Sequence, residues 1–507
     1  MKSQPRRSSS SGTLLAMREA VDQGRFSEAA DLFDQNPTSP PEAALLRGWV
    51  YVKKRDYARA IKFLNGIDDL TRAQDAERLM ILGVAHSRSN RFAEADEYFE
   101  RAAESGTELK RTGELAYWRA RRYLEERRTE EAQALLDEIR AAPGDRARIW
   151  ADWLRSGVLT HQERYLDSAL VLMHLLEFMD GLKDEHREDE LWALHTLATR
   201  ARELDAPKIR RFVQARVNRQ EWTEDFRVNQ FQTYKAVAWC HALEGDYFNA
   251  FRYLKKAGAI APTPPWHAMT LLDRAYLARC VGEGLWSRSE LAEAQEILES
   301  VSWRETDDEE RVALPLAAEL YADLDSGRAA SYLAKFFEMR DAMNVQLDMR
   351  YDDRLCALAE YANGVVQTQL GNRKSASAAF RKAWDVYNAI GYDWRAGRAA
   401  LRLFELTRND SWLERAGQKL QNYSGSWLRD GMRKLADPDL PHITPAQRRI
   451  LELLVEGKTT EQIVKSTGTR PHTIQNHVKK MLRALGVPTR SVLIAEAIKR
   501  GLVGNIS

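Results

Sequence analysis

The sequence predicts an all-α chain, a long solenoid of paired helices followed by a small four-helix module. Three observations carry that reading. Small and bulky apolar residues recur at helical spacing with a period of 35 to 37 residues over the first third of the chain. Strand-like alternation is absent throughout. Beyond Pro441 both the apolar pattern and the charge balance change. With 507 residues and 44% hydrophobic content, there is ample material for a buried interior, which excludes global disorder.

The repeat shows best in four segments. Each has a small residue on a first helix (Gly48, Gly83, Ala120, Gly157) and an alanine twelve positions later on a second (Ala60, Ala95, Ala132, Ala169). Short polar turns separate them: Lys54-Arg55-Asp56, Ser89-Asn90-Arg91, Arg127-Arg128-Thr129 and Gln162-Glu163-Arg164. Bulky residues (Leu64, Phe99, Leu136, Met173) stand four positions after each alanine. The small residue is expected to admit the alanine of the second helix, and the bulky residues to fill the gap to the next pair. No pair buries its apolar face alone, so the pairs must stack. Ala238 with Tyr247, Ala250 and Leu254 fits the pattern, as does Gly364 with Ala376, Phe380 and Ala383. Looser copies lie at Ala318–Ala330, Ala275–Ala294 and Leu191–Val213. This pattern resembles the tetratricopeptide repeat, whose usual period is about 34. Roughly ten or eleven pairs are expected between Leu14 and Tyr423.

The ends read differently. Residues 1–12, MKSQPRRSSSSG, lack the apolar run of a secretory signal and read as a disordered arm. Cys240, Cys280 and Cys356 are widely spaced in apolar helical contexts, as expected of reduced thiols and not of a disulfide framework or zinc site. The most apolar run, Ala169–Met179, is broken by His174 and Glu177, so a soluble, cytoplasmic protein without membrane contact is expected. From Pro441 onward, 11 Lys and Arg face 4 acids, a formal +7, whereas the remainder carries −5 within a total of +2. A basic module on a mildly acidic body is the charge layout of a nucleic-acid binder.

The domains therefore read as a repeat region over 13–423, a linker over 424–441 and a C-terminal module over 442–507. Ser424-Gly425-Ser426 opens the linker, and Pro438 and Pro441 close it. Thr444-Pro445 then starts a first helix, capped by a threonine and followed by proline. Thr459–Thr467 forms a second helix, and Gly468 makes a tight turn. Pro471 opens a third helix to about Leu485, and Thr489 caps a fourth from Arg490 to about Arg500. In the third helix Ile474, Val478, Met481, Leu482 and Leu485 form a buried stripe. The opposite face presents His472, Gln475, Asn476, Lys479, Lys480 and Arg483, with no carboxylate. Gln or Asn pairs bidentately with adenine, and Lys reaches guanine or phosphate, so this face suits a major groove.

Residues Thr444 to Leu502 resemble the DNA-binding domain of LuxR-type regulators (also called GerE or NarL-type). The matching residues are Thr444-Pro445, Leu451, Leu454, Glu456-Gly457, Ile463, Gly468, Thr473-Ile474, Asn476-His477, Leu485-Gly486-Val487 and Arg490. The resemblance implies base contacts from Gln475, Asn476 and Lys479, with His472 placed to join them. It implies phosphate contacts from Lys458, Thr459, Thr460, Thr473 and Lys480; the cations Arg470 and Arg483 are expected to grip phosphates beside them. It also implies a dimer contact through Val492, Leu493, Ala497 and Ile498, and hence an inverted-repeat operator. Gln447 and Gln462 stand where the family usually has Glu, and Arg470 replaces the Ser or Thr that often caps the recognition helix. The fold expected is a tetratricopeptide-like superhelical solenoid followed by a small four-helix LuxR-type helix-turn-helix domain.

Catalytic signatures are missing. No Gly-x-x-x-x-Gly-Lys-[Ser/Thr], His-Glu-x-x-His or Gly-x-Ser-x-Gly occurs; the nearest phosphate-loop look-alike, Gly391–Arg398, lacks the lysine. No enzyme activity, cofactor or metal is expected. The function expected is that of a bacterial transcription regulator whose repeat region senses a protein, peptide or small effector. Its C-terminal module then binds double-stranded promoter DNA as a homodimer. A second reading stays open: an interaction scaffold whose tail docks on another regulator or on RNA polymerase. In a third, the acidic body folds back on the basic tail.

Overall fold

The computed structural model describes residues 10–36, 40–105, 113–182, 186–282, 284–303, 306, 308–347, 353–423, 426–436, 443–500 and 502–503. Among these residues no strand occurs, and eleven helical pairs follow one another between Ser10 and Lys419. The chain divides into two compact units, one of residues 1–200 and 215–230, the other of 201–214 and 231–507.

The first unit begins with the pairs Ser10–Asp22/Phe26–Gln35, Pro41–Lys53/Tyr57–Leu64 and Arg72–Arg88/Phe92–Ser105. Glu114–Glu125 then pairs with Thr129–Ala134 and Leu136–Ala141, and Asp145–His161 with Tyr165–Met179. The predicted turns are present. Arg55, Asn90, Arg127 and Glu163 take left-handed φ values of 61°, 58°, 60° and 60°. One residue later, the N–H groups of Asp56, Arg91, Arg128 and Arg164 donate to the carbonyls of Tyr51, His86, Tyr123 and Leu159. This six-to-one closure satisfies the last carbonyls of each first helix and turns the chain back on itself.

The packing inside a pair differs from expectation in one respect. Ala60, Ala95, Ala132 and Ala169 are fully buried. The small residue of the first helix, however, receives the bulky side chain sixteen positions on instead of the alanine. A Cβ on Gly83 would lie 2.7 Å from the Phe99 ring, and one on Gly48 would collide with Leu64. Gly364 and Phe380 repeat the arrangement in the second unit at 2.7 Å. Gly157 departs from it, receiving Leu124 of the preceding pair at 2.7 Å. The segment that follows the sixth pair (Arg187–Glu203/Pro207–Val217) returns to the first pair. Asp225 accepts from the N–H and hydroxyl of Ser27 at 2.9 and 2.7 Å, and the Phe226 ring lies against Gly24.

The second unit stacks Arg227–Leu243/Tyr247–Ala259, Pro264–Cys280/Gly284–Ser300 and Ala313–Tyr321/Ser326–Leu347. Asp353–Gln369/Arg373–Ala389 and Asp393–Thr407/Asp410–Lys419 complete the array. In the looser copy the buried alanine is Ala329, one position before the expected Ala330, because a shorter first helix shifts the register. Burial pushes the thiols of Cys240 and Cys280 up to about 12, which leaves them protonated and inert.

Two boundaries are corrected. The arm expected over 1–12 gives way to helix at Ser10, while residues 1–9 lie outside the described residues. The linker expected over 424–441 contains the helix Trp427–Ala436, whose spacing of Trp427, Leu428 and Leu435 makes it amphipathic; Pro438 and Pro441 lie outside the described residues.

In the second unit a buried carboxylate joins elements far apart in sequence. Glu203 accepts from Arg395 at 2.7 and 3.1 Å, from Arg202 at 2.6 Å and from the Trp394 indole at 3.1 Å. Burial alone would raise its pKa, but Arg202 and Arg395 outweigh it and hold the carboxyl down to about 2, from an ordinary 4.5. A depressed carboxylate stabilises the fold above its unfolded pKa and loses that contribution as pH falls through the folded one. Glu203→Gln should therefore cost about 3 kcal/mol at pH 7, with the penalty shrinking by roughly half at pH 3. Urea unfolding followed by tryptophan fluorescence at the two pH values measures this; a penalty independent of pH would contradict it.

A candidate DNA-binding surface at the C-terminus

Four helices make the C-terminal module: Pro445–Val455, Thr460–Thr467, Pro471–Leu485 and Arg490–Lys499. The first two begin in capping boxes. The Thr444 hydroxyl accepts from the Gln447 N–H at 3.2 Å, and the Gln447 side-chain oxygen accepts from the Thr444 N–H at 2.8 Å. Thr459 and Gln462 repeat this at 3.3 and 2.8 Å. The glutamines found where the family usually has Glu thus cap without charge, each box contributing about 1 kcal/mol. The Thr459 hydroxyl accepts from its own helix and also bonds the Glu461 carboxylate, which, after the backbone N–H, holds that carboxyl below its ordinary range.

The third helix starts differently. Arg470 occupies the cap position without a side-chain cap bond, and Pro471 fills the first turn. The Arg470 guanidinium is exposed and has no ion pair among the described residues. Before it, Gly468 takes φ +66° and donates its N–H to the Val464 carbonyl at 2.8 Å. A left-handed conformation at this turn favours glycine.

Along the third helix the two faces separate as expected. Ile474, Met481 and Leu485 are buried, with Val478 and Leu482 partly so, in a core that includes Leu451, Leu454, Ile463 and Leu493. His472, Gln475, Asn476, Lys479, Lys480 and Arg483 are all exposed. Among the described residues Lys479, Lys480 and Arg483 have no ion pair, so their charge faces solvent uncompensated. Thr473 is half-buried beside His472, its hydroxyl 3.3 Å from Nε2, and His477 is half-buried at the edge of the apolar stripe. A hollow of about 230 Å³ lies at the foot of this helix, lined by Leu454, Thr460, Gln475, Val478, Lys479 and Arg490 among others. Arg490 donates to the Lys458 carbonyl at 2.6 Å, stapling the start of the fourth helix to the turn after the first. Lys458 and Thr460 are half-buried there.

The fourth helix corrects one expectation. Leu493 and Ala497 are fully buried in the module's own core and have nothing to present to a partner. Val492 and Ile498, at 42% and 50% exposure, do face solvent. Residue-by-residue transfer by resemblance mixed the two faces of this helix. Sequence reasoning also missed Arg448, which is buried, ion-paired with Asp430 at 2.5 Å and bonded to the Leu502 carbonyl. Nothing local marked it, since Arg448 stands beside Arg449 in a helix that also carries Gln447 and Glu452.

Sequence comparison matches the C-terminal module and one of the repeats. A family model described as bacterial regulatory proteins, luxR family, matches residues 441–497, and one described as tetratricopeptide repeat matches residues 76–105. The spore germination protein GerE of Bacillus subtilis is 34% identical over 61 residues, 12% of this chain and 82% of that protein. The transcriptional regulatory protein MctR of Rhizobium johnstonii is 33% identical over 64 residues, 13% of this chain and 30% of that protein. Rv0890c of Mycobacterium tuberculosis is 34% identical over 71 residues, 14% of this chain and only 8% of that protein. Among solved structures, the Cut9–Hcn1 hetero-tetramer of the APC/C aligns at TM-score 0.37 and 14% identity, over 97% of this chain and 90% of that one. A Rap protein complexed with competence and sporulation factor aligns at TM-score 0.37 and 13% identity, over 80% and 99%. The 34% identity to GerE, over 82% of that protein, places the chain, through its C-terminal domain, in the luxR family of bacterial regulatory proteins.

Proposed function

We propose that the chain is a DNA-binding transcriptional regulator in which the repeat region senses an effector or partner and the C-terminal module binds duplex DNA as a dimer. The observation that carries this is the solvent-open, carboxylate-free face of Pro471–Leu485. An ordinary solvated helix face mixes charge signs, whereas this one offers amides framed by cations.

Gln475, Asn476 and Lys479 are the base readers, with His472 at the mouth of the groove. Arg470, Lys480 and Arg483, all exposed, grip phosphates and supply affinity through counterion release. Lys458, Thr460 and Thr473, half-buried at helix starts and turns, position the backbone together with the exposed Thr459. Dimerisation falls to Val492 and Ile498, the exposed apolar residues of the last helix.

Asn476→Ala should cost about 1–3 kcal/mol at one base position and relax specificity there. Lys480→Ala should weaken all sequences alike and lower the salt slope by about 1. Titrations of the full chain against operator and random duplexes at several salt concentrations distinguish the two; wild-type behaviour by both variants would remove the third helix from the interface. Val492→Glu with Ile498→Glu should leave single half-site binding intact and abolish cooperative occupancy of an inverted repeat. Unchanged cooperativity in a gel-shift titration would move the dimer contact elsewhere.

A further inference from the structure

In the second unit, a groove runs along the first helices of its later pairs and is already occupied. Trp427, Leu428, Gly431 and Leu435 of the helix Trp427–Ala436 line it together with Tyr276, Tyr361, Arg398 and Leu401. These four positions fall on one face of the helix. The Trp427 ring sits among Trp239, Tyr276 and Trp394, with centroids 5.9, 5.8 and 6.3 Å away, and its backbone N–H donates to the Tyr247 hydroxyl at 3.0 Å.

The opposite face of the same helix holds the C-terminal module. Asp430 forms a buried ion pair with Arg448, and Arg433 donates to the Leu502 carbonyl at 3.3 Å. A further contact comes from the repeat itself. The Phe248 ring, 54% exposed, lies against the turn before the third helix, where a Cβ on Gly468 would meet it at 2.8 Å. That turn is two residues from Arg470 and four from His472.

The attachment is loose by construction. A cavity of about 250 Å³ remains beside the helix, and nothing lies within 4 Å of the place a Gly431 Cβ would take. The missing side chain forfeits both contacts and helix propensity. Burial pushes the Asp430 carboxyl up to about 6 despite Arg448, so at neutral pH the pair is made against a desolvation cost.

We propose that this groove is a binding site for an amphipathic helix of a partner protein, and that Trp427–Ala436 is its resident stand-in. A partner helix with the same Trp-Leu edge and a bulky apolar residue in place of Gly431 fills the cavity, displaces the resident helix and frees the C-terminal module from Phe248. Only this last step rests on the DNA-binding reading; the displacement does not.

The test uses a fluorescent peptide of the sequence 427–436 carrying the Gly431→Leu change, titrated into the full chain by anisotropy. It should bind the wild-type chain. It should bind about tenfold tighter when Trp427→Ala and Leu428→Ala weaken the resident helix, and about tenfold weaker when Gly431→Leu strengthens it, since apparent affinity scales with the fraction of open groove. The Gly431→Leu chain should also melt at a higher temperature, an arm that does not depend on the tolerance of the alanine variant. Absence of binding to all three chains, or equal binding by all three, overturns the proposal. Saturating peptide should then raise the affinity of the wild-type chain for duplex DNA at matched salt. Correctly ordered peptide binding without that rise overturns the release step alone, while the Asn476 and Lys480 variants judge DNA reading separately.

Discussion

One constraint underlies the whole repeat region: a helical pair cannot cover its own apolar face. Gly83 closing on Phe99, and Gly364 on Phe380, seal the inside of a pair, but the outer side of each must be covered by a neighbour. The eleventh pair, Asp393–Thr407/Asp410–Lys419, has no twelfth pair after it among the described residues. Leu420 fills the space at Gly397, Tyr423 is fully buried, and the helix Trp427–Ala436 lies next, its Met432 sulfur 3.8 Å from where a Cβ on Gly417 would stand. That helix is the cap of the stack before it is anything else. The C-terminal module needs no such help, since its core from Ile443 to Val503 is drawn from its own residues.

The two parts also treat charge differently, and for a physical reason. Inside the repeat region, buried ions are matched: Glu203 with Arg395 and Arg202, Glu319 with Arg398, Asp273 with Lys235. An ion removed from water without a partner would cost several kcal/mol, by an order-of-magnitude estimate. On the third helix of the module, Lys479, Lys480 and Arg483 stay hydrated and unmatched among the described residues, which is inexpensive at a surface and useful against a polyanion. The near-neutral total of +2 conceals this division of labour.

Periodic features were legible in the sequence and singular ones were not. The spacing of Gly48, Gly83 and Gly364 with their alanines located the pairs, and the four turns fell at Arg55, Asn90, Arg127 and Glu163. The two faces of Pro471–Leu485 were readable because a helix imposes its own periodicity. Which partner each glycine receives was not readable, because Leu124 at Gly157 depends on how neighbouring pairs sit together. Glu203 and Arg395 are 192 residues apart, and no local signal couples them. Trp427–Ala436 was hidden by its flanks, since Ser, Gly and Pro on either side gave a ten-residue helix the composition of a linker. Leu493 and Ala497 were misassigned because family resemblance names positions without saying which way they point.

The cap and the joint being one helix has a thermodynamic consequence. Trp427, Leu428, Gly431 and Leu435 answer to the groove, while Asp430 and Arg433 answer to the module, and ten residues of helix cannot serve one side in isolation from the other. Any ligand acts on such a joint only through its different affinities for the docked and freed states. If a groove ligand and duplex DNA both favour the freed state, each must raise the affinity for the other by the same factor. The imperfect fit at Gly431 then has a use: a cap that filled its cavity would stabilise the stack and lock the docked state, leaving a groove ligand too little differential affinity to shift it.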